Sequence, residues 1–387
     1  MRIAIAGAGI AGLTTALLLS RAGHGVDLYE RAANLSEVGA GVQISPNAGR
    51  ILEQLGLGPA LDHLATRPVA IDIRGAVSGR VIVSLPLAKA AARYGVPYRL
   101  MHRGDLQGVL LNAAIADHGI KLHLGAALAD FADTPAGMRF SANDAPHEVD
   151  LLIGADGVRS KVRELISGPN GRQSSGRTAW RTTIPAAKVP ADLPRDRTTM
   201  FLGDRTHVVI YPIRSAREIN VVAIVEENWT GEGWSEPGDP AWLAVHFRGV
   251  SPLLQDTFTA AAGWTRWYLS AVDPLASWQK GHAVLVGDAA HAMLPFLAQG
   301  AAMAIEDAAI LVRCLTRANT DIEGALARYE VLRKPRVTRV WQTARQSGTI
   351  YHMSPLTAPF RDATMKTLGG ERLLGRYDWL YGWRQTD

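Results

Sequence analysis

Cysteine is almost missing from this chain: Cys314 stands alone among 387 residues. A single thiol can form neither an internal disulfide nor a redox dithiol, which excludes disulfide-stapled scaffolds and dithiol reductases and leads us to expect a reducing, cytoplasmic setting. Long apolar runs are lacking as well. The nearest, residues 3–19, is broken by Gly7, Gly9 and Gly12 and leads on to a strand-like stretch at 25–29. That is the wrong make-up for a signal peptide, and no other segment approaches the ~20 apolar residues of a membrane span. Blocks of like charge are absent too: 41 Lys and Arg are scattered among 36 Asp and Glu, for a net charge of +5. A nucleic-acid-binding arm is therefore not expected, and neither nucleic acid nor membrane is an expected partner. A modest positive balance instead favours encounter with anionic small ligands.

What is present is ample apolar residue for a core, 47% of the chain, with a pattern that changes along its length. Residues 3–6, 12–22 and 26–29 read as strand, helix and strand, a β-α-β start that implies a parallel sheet. Helical patterns follow at 46–55 and 104–117, then an apolar strand at 150–155 and a basic helix at 160–166. From 198 to 225 β-branched residues alternate in 206–213 and 219–225, as in an antiparallel sheet, and 231–240 reads as a polar loop. A strand at 282–286 and a helix at 302–315 restore the α/β pattern. A further helix at 328–346 contains Pro335, which is expected to kink or divide it. The expected fold is α/β: a discontinuous Rossmann-like dinucleotide domain (1–70, 98–175 and 275–330), an inserted and mostly antiparallel-sheet substrate domain (71–97 and 176–274), and a C-terminal helical segment (331–387).

Three motifs carry chemistry. Gly7-Ala8-Gly9-Ile10-Ala11-Gly12 lies between the first strand and helix. Its glycines allow a tight turn and close approach of backbone to a pyrophosphate at the helix N-terminus. Glu30, with Arg31 beside it, ends the second strand, where a carboxylate can hold ribose hydroxyls. Gly154-Ala155-Asp156-Gly157-Val158-Arg159-Ser160 is again strand, turn and helix, and read alone it could be a helix cap. Gly287-Asp288 ends the strand at 282–286, placing Asp288 to bond the hydroxyls of a ribityl chain. Downstream, Pro295-Phe296-Leu297-Ala298-Gln299-Gly300-Ala301-Ala302 opens a helix whose N-terminus could donate to a flavin ring edge.

These motifs, in this order and at these distances, resemble the single-component FAD-dependent aromatic hydroxylases, the class A monooxygenases of the para-hydroxybenzoate hydroxylase fold. The likeness runs from Arg2 to about Leu315. It implies FAD as cofactor, NAD(P)H and dioxygen as co-substrates, a C4a-hydroperoxyflavin as hydroxylating species, a small aromatic acid as substrate and, as often in the family, a homodimer. By the same resemblance Glu30 binds the adenosine ribose, Arg103 contacts FAD, Asp156 serves FAD and the nicotinamide cofactor, Asp288 holds the ribityl chain, and the segment 39–44, with Gly41 and Val42, borders the isoalloxazine ring. Ala298 stands where many members have glycine. The resulting Ala-Gln-Gly resembles the salicylate and 3-hydroxybenzoate hydroxylase branch, as does the ending Tyr377-Asp378-Trp379-Leu380-Tyr381-Gly382.

Hydroxylating a phenol is helped by a base, because a phenol ionises only near pH 10. His207 is the candidate. On a strand, residues two apart share a face, so His207, Val209 and Tyr211 point together. Hydroxylases of the 3-hydroxybenzoate and 6-hydroxynicotinate type carry His and Tyr at this spacing. The latter enzymes have histidines where this chain has Gln43 and Phe296, which favours a benzoate-like ring over a pyridine. Gln299 either bonds the substrate or caps its helix, and either Arg181 or Arg214 could pair a substrate carboxylate. The competing readings are an epoxidase or reductase of the same fold acting on a lipid or polyketide, and a flavin-binding regulator without turnover. A plain NAD-dependent dehydrogenase would leave Gly287-Asp288 without a task.

Overall fold

The protein is described by a computed structural model, covering residues 1–35, 41–168, 173–229, 231, 233–271, 275–318 and 321–385. Its first layer is a six-stranded sheet in the spatial order Gln279–Lys280, Ala283–Leu285, Leu151–Gly154, Arg2–Ala6, Gly25–Glu30, Ile120–Leu124. All pairs are parallel except the short Gln279–Lys280 edge. The chain runs outward from Arg2–Ala6 in one direction and resumes on its other side at Leu151–Gly154. The carboxyl ends of those two neighbours therefore form a topological switch point, the place where open α/β sheets bind ligands. Strands buried on both faces read as apolar runs rather than alternations, and Ile3, Ile5, Leu151 and Ile153 are fully buried.

The second layer is an eight-stranded sheet ordered Ser235–Gly238, Trp264–Ala271, Gln173–Pro185, Glu218–Glu226, Thr206–Ile213, Thr198–Gly203, Ala70–Gly75, Val81–Pro86. It is antiparallel except where Thr198–Gly203 meets Ala70–Gly75. Alternation along its strands sorts side chains onto two faces. Val208, Ile210, Val221 and Ala223 bury one face against Leu243, Phe247 and Leu254 of the helices Pro240–His246 and Pro252–Thr259. The opposite face, with Ala179 and Ile224, packs on Leu294, Phe296 and Ala344. That second face carries His207. The exposed edge strand Val81–Pro86 is covered by the helix Ala358–Gly375, where a Cβ on Gly370 would fall 1.8 Å from the Ser84 carbonyl oxygen. Such cover removes an edge that could template aggregation.

Two expectations need correction, and one sheet is an addition to them. The polar stretch 231–240 contains the edge strand Ser235–Gly238, paired with Trp264–Trp267, because Gly238 has no side chain to collide with the Trp180 ring. A three-stranded sheet, Leu128–Thr134, Gly137–Ala142 and Ala145–Val149, was not foreseen. Pro335 does not divide its helix, which runs unbroken from Ile322 to Tyr351. A proline inside a helix costs roughly 3 kcal/mol. Here Tyr329, Arg333, Val337 and Val340 are all buried around it, and at ~1.5–3 kcal/mol per large buried side chain their packing outweighs the proline. Among the described residues no helix is long and apolar enough to cross a membrane.

Candidate active site

The glycine loop sits at the switch point. Gly7 has φ +100°, and a Cβ there would lie 2.6 Å from the Ala155 carbonyl oxygen, so the loops bearing Gly7 and Asp156 touch only because position 7 is glycine. Gly12 is equally constrained, its Cβ 1.9 Å from the Gly7 carbonyl oxygen, whereas Gly9 faces open space. The helix Ile10–Arg21 starts there with neither a side-chain cap nor an acid in its first turn. Glu30 reaches into the loop, accepting from Ala8 N at 2.9 Å and Ala32 N at 2.9 Å. Arg31 is exposed.

Asp156 turns out to be a cap with one free atom. Its Oδ2 accepts from Lys161 N at 2.7 Å and Val162 N at 3.3 Å at the start of the helix Lys161–Ser167, while Oδ1 is buried without a partner. Burial raises its pKa, opposed by bonds from Ser160 and the helix N–H groups. Gly287, at φ +61°, lets the helices Ile10–Arg21 and Gly300–Arg317 close together; a Cβ there would lie 3.0 Å from Ala304 Cβ and 3.1 Å from Ala11 Cβ. Asp288 is exposed beside it, its Oδ1 3.9 Å from where a Gly300 Cβ would be. Arg163, missed in the sequence, bolts the two motif loops together by donating to Val158 O at 2.5 Å and Ala289 O at 3.0 Å.

The helix Gly300–Arg317 likewise begins without a side-chain cap or an early acid, so Gly300, Ala301 and Ala302 open a second uncapped N-terminus. Two uncapped helix ends and an open Gly9 offer N–H donors to a dinucleotide's phosphates, while the exposed Asp288 carboxylate and the orphaned Asp156 oxygen offer acceptors to its hydroxyls. These residues fit FAD. Pro295 begins the short 3-10 turn Pro295–Leu297 leading into that second end. On the sheet side of the groove, Gly41–Ile44 pairs with Arg99–His102, Val42 opposite Met101. Gly39 and Ala40 lie outside the described residues. Arg103 opens the helix Arg103–Ala116, exposed at its first position.

Gln299 is not the cap of its helix. It is 1% exposed. Its Nε2 donates to Ser45 Oγ at 3.0 Å and its Oε1 accepts from Asn47 Nδ2 at 3.2 Å. This amide is the end of a buried network in which Asn47 donates to Glu306, and Arg333 joins Glu306 at 2.6 Å to Asp307 at 2.7 Å. The side chain is thus spent on holding the ring loop to the interior.

His207 and Tyr211 do share a face, as their spacing requires. Tyr211 packs on Gly41, where a Cβ would strike its ring at 2.5 Å, and Gly41 N donates to Asn220 Oδ1 at 2.7 Å. Burial drives the Tyr211 hydroxyl well above its usual pKa, Arg181 opposing. His207 is 3% exposed, ringed by Phe296, Tyr351 and His352 at centroid distances of 5.5, 5.4 and 5.0 Å. Its Nδ1 is 2.8 Å from His352 Nε2. Register separates the two arginines. Arg181 pairs with Val222, and Val222 with Val209, so Arg181 stands on the face of His207 and Tyr211. Its Nε is buried without a partner, and Trp267 lies 5.6 Å beneath the guanidinium. Arg214 is engaged elsewhere, by Glu218 at 2.9 Å and Asp105 at 3.5 Å. Asn220, opposite Tyr211, adds a second buried donor without an acceptor, its Nδ2.

A dinucleotide-binding arrangement at the switch point, with a buried aromatic face beside it, is that of a flavoprotein. Residues 1–344 match the FAD-binding domain family, and the chain belongs to it. It is 38% identical over 386 residues to 3-amino-4-hydroxybenzoate 2-monooxygenase of Streptomyces platensis, covering 98% of this chain and 96% of that one. It is 31% identical to 3-hydroxybenzoate 6-hydroxylase of Klebsiella oxytoca, covering 100% and 98%. The structure of Klebsiella pneumoniae HpxO complexed with FAD and uric acid superposes with a TM-score of 0.88 at 26% identity, covering 98% and 96%. The protein is an FAD-dependent aromatic monooxygenase with the fold of the class A flavin hydroxylases.

Proposed function

We propose that this enzyme hydroxylates a hydroxybenzoate-type acid, drawing electrons from NAD(P)H and oxygen from dioxygen. The observation that carries the reading is the single sheet face holding Arg181, Asn220, Tyr211 and His207, with two buried donors lacking acceptors at one end and a buried imidazole at the other. A carboxylate at Arg181 and Asn220 would satisfy both donors, which otherwise cost ~1–3 kcal/mol each. Arg181 lies one side-chain repeat along and two strands across from His207. At ~3.3 Å per residue and ~4.8 Å per strand their Cα atoms are roughly 12 Å apart, a span that two converging side chains narrow to the length of a hydroxybenzoate. The hydroxylase names of the relatives support the same substrate class.

Within that site each residue has a task. FAD, when bound, supplies the reduction of dioxygen and the electrophilic oxygen, held by the glycine loop, Glu30, Asp156, Asp288 and the helix end at Gly300. Arg181 orients the ring through its carboxylate. His207 accepts the phenolic proton, making the ring electron-rich. Leu294, Phe296 and Trp267 line the face with apolar surface that keeps water out. The test is a panel of salicylate, 3-hydroxybenzoate, 4-hydroxybenzoate and 3-amino-4-hydroxybenzoate, with NAD(P)H oxidation, peroxide and product mass followed together. One member should accelerate NAD(P)H oxidation and gain one oxygen with little peroxide. If none is oxygenated, the substrate assignment is wrong, although the flavoprotein remains.

A further inference from the structure

His352 follows the long helix Ile322–Tyr351, 145 residues from His207 in sequence, yet its Nε2 lies 2.8 Å from His207 Nδ1. On its other side His352 Nδ1 faces Glu226 Oε1 at 3.8 Å and is otherwise buried without a partner. Glu226 has a 39% exposed side chain and also pairs with Arg177 at 3.4 Å. Three titratable groups thus run in line from the aromatic face to solvent. We propose that His352 is a positioning residue for His207, and that the pair hands the substrate's phenolic proton to Glu226.

The tautomers follow from the chain of contacts. A carboxylate only accepts, so His352 keeps its proton on Nδ1 and offers Nε2 as acceptor. His207 must then donate from Nδ1, which leaves its Nε2 lone pair as the free base. In the transfer the phenol O–H breaks and its proton binds His207 Nε2. The Nδ1 proton of His207 moves to His352 Nε2, and the Nδ1 proton of His352 moves to Glu226 once that exposed side chain swings in from 3.8 Å to hydrogen-bond distance. One proton travels, the oxygen keeps the bonding pair, and no electron is exchanged.

The groups facing the pair agree with passage rather than storage. They are Arg177 and Glu226 from two neighbouring strands, Tyr351 from the helix end, and the uncharged Phe296, with Arg177 stacked 5.4 Å from the Phe296 ring. Burial first, then His352 and Arg177, presses His207 well below the usual histidine pKa. Burial and then Arg177 press His352 to about 3. An imidazolium is disfavoured on either ring, so a lone His207 would be a poor base, whereas a hand-over needs neither ring to hold the charge.

This proposal rests on His207 as the base, and the experiment separates the two. His352→Gln, His352→Ala, Glu226→Gln and His207→Ala are compared as FAD-loaded enzymes, using whichever hydroxybenzoate of the panel is hydroxylated. Proton release into a weakly buffered indicator dye is recorded in stopped flow on binding. His352→Gln should keep FAD and leave KM within about threefold, but lower kcat at least ~10-fold, within the range general-base loss produces. It should slow proton release in step, and imidazole in the buffer should partly rescue His352→Ala. Glu226→Gln should slow release without changing KM. Wild-type kcat and proton release in His352→Gln, beside an inactive His207→Ala, would overturn the relay alone. A fully active His207→Ala would remove the base assignment itself.

Discussion

Ala298 holds φ +51° and ψ 37°, the left-handed region, immediately before Gln299. A side chain there costs roughly 1–2 kcal/mol, so glycine would suit this position better. Ala298→Gly should therefore raise the unfolding free energy of the holoenzyme, read by denaturant titration, by about 1 kcal/mol or slightly less, since glycine also loosens the unfolded chain; a lower unfolding free energy would show that the strain is illusory. Arg181 and Arg214 looked equivalent in the sequence, and register parts them. Arg181→Ala should raise KM for the hydroxybenzoate ~10- to 100-fold, the scale of a charge-assisted pair, while Arg214→Ala stays within about twofold. Equal effects would contradict the placement of the carboxylate. Single-residue roles were legible where local spacing decides them, as for the glycine loop or the shared face of His207 and Tyr211. They were illegible where a remote partner decides. Gln299 is turned inward by Ser45 and Asn47, some 250 residues away, and nothing near position 352 marks it as a neighbour of His207.

At the scale of elements, the long helix Ile322–Tyr351 shapes the site from behind. Gly348 lies on it against Phe296, where a Cβ would sit 2.7 Å from the ring, and Phe296 in turn touches both His207 and His352. Helix propensity alone makes Gly→Ala favourable by about 1 kcal/mol. Steric conflict with a buried ring should win, so Gly348→Ala is expected to uncouple NAD(P)H oxidation from hydroxylation, read as more peroxide and less product. Unchanged coupling would mean that Phe296 can shift freely. Elements with strong apolar periodicity, such as Gly300–Arg317, were readable from the sequence to within a few residues. The sheet Leu128–Thr134, Gly137–Ala142 and Ala145–Val149 was not, because its first strand is largely exposed and carries little alternation for a period-of-two argument to detect.

For the molecule as a whole, the layers meet around charges that never see water. Glu306, Asp307 and Arg333 are each at most 1% exposed, and His291 Nε2 lies 2.5 Å from Asp307. Burial alone would raise the Asp307 pKa, but the charges of His291 and Arg333 outweigh it and hold it at about 2. A carboxylate depressed in the folded state stabilises it above the unfolded value near 3.8 and loses that contribution as pH falls through about 2. Acid unfolding should therefore steepen in that window. Arg333→Met, which leaves Glu306 to Arg336 and Asp307 to His291, should cost about 3 kcal/mol, the low end for a broken buried pair, by denaturant titration at neutral pH, with part of the loss recovered on acidification. An unchanged midpoint would mean that the network is dispensable. The charge pattern gave no hint of this network, since two acids and an arginine in helical sequence read as solvated surface until packing closes over them.

The account stands most directly on His207, because the aromatic face is an active site only if that imidazole takes a proton from the substrate. The measurement is hydroxylated product formed per second by FAD-loaded His207→Ala against wild type, with FAD absorbance and KM recorded alongside. Loss of product formation by ~100-fold or more, with FAD still bound and KM little changed, is the predicted result. Product formation near the wild-type rate would contradict it, and would move the base, and with it the orientation of the substrate, off this face.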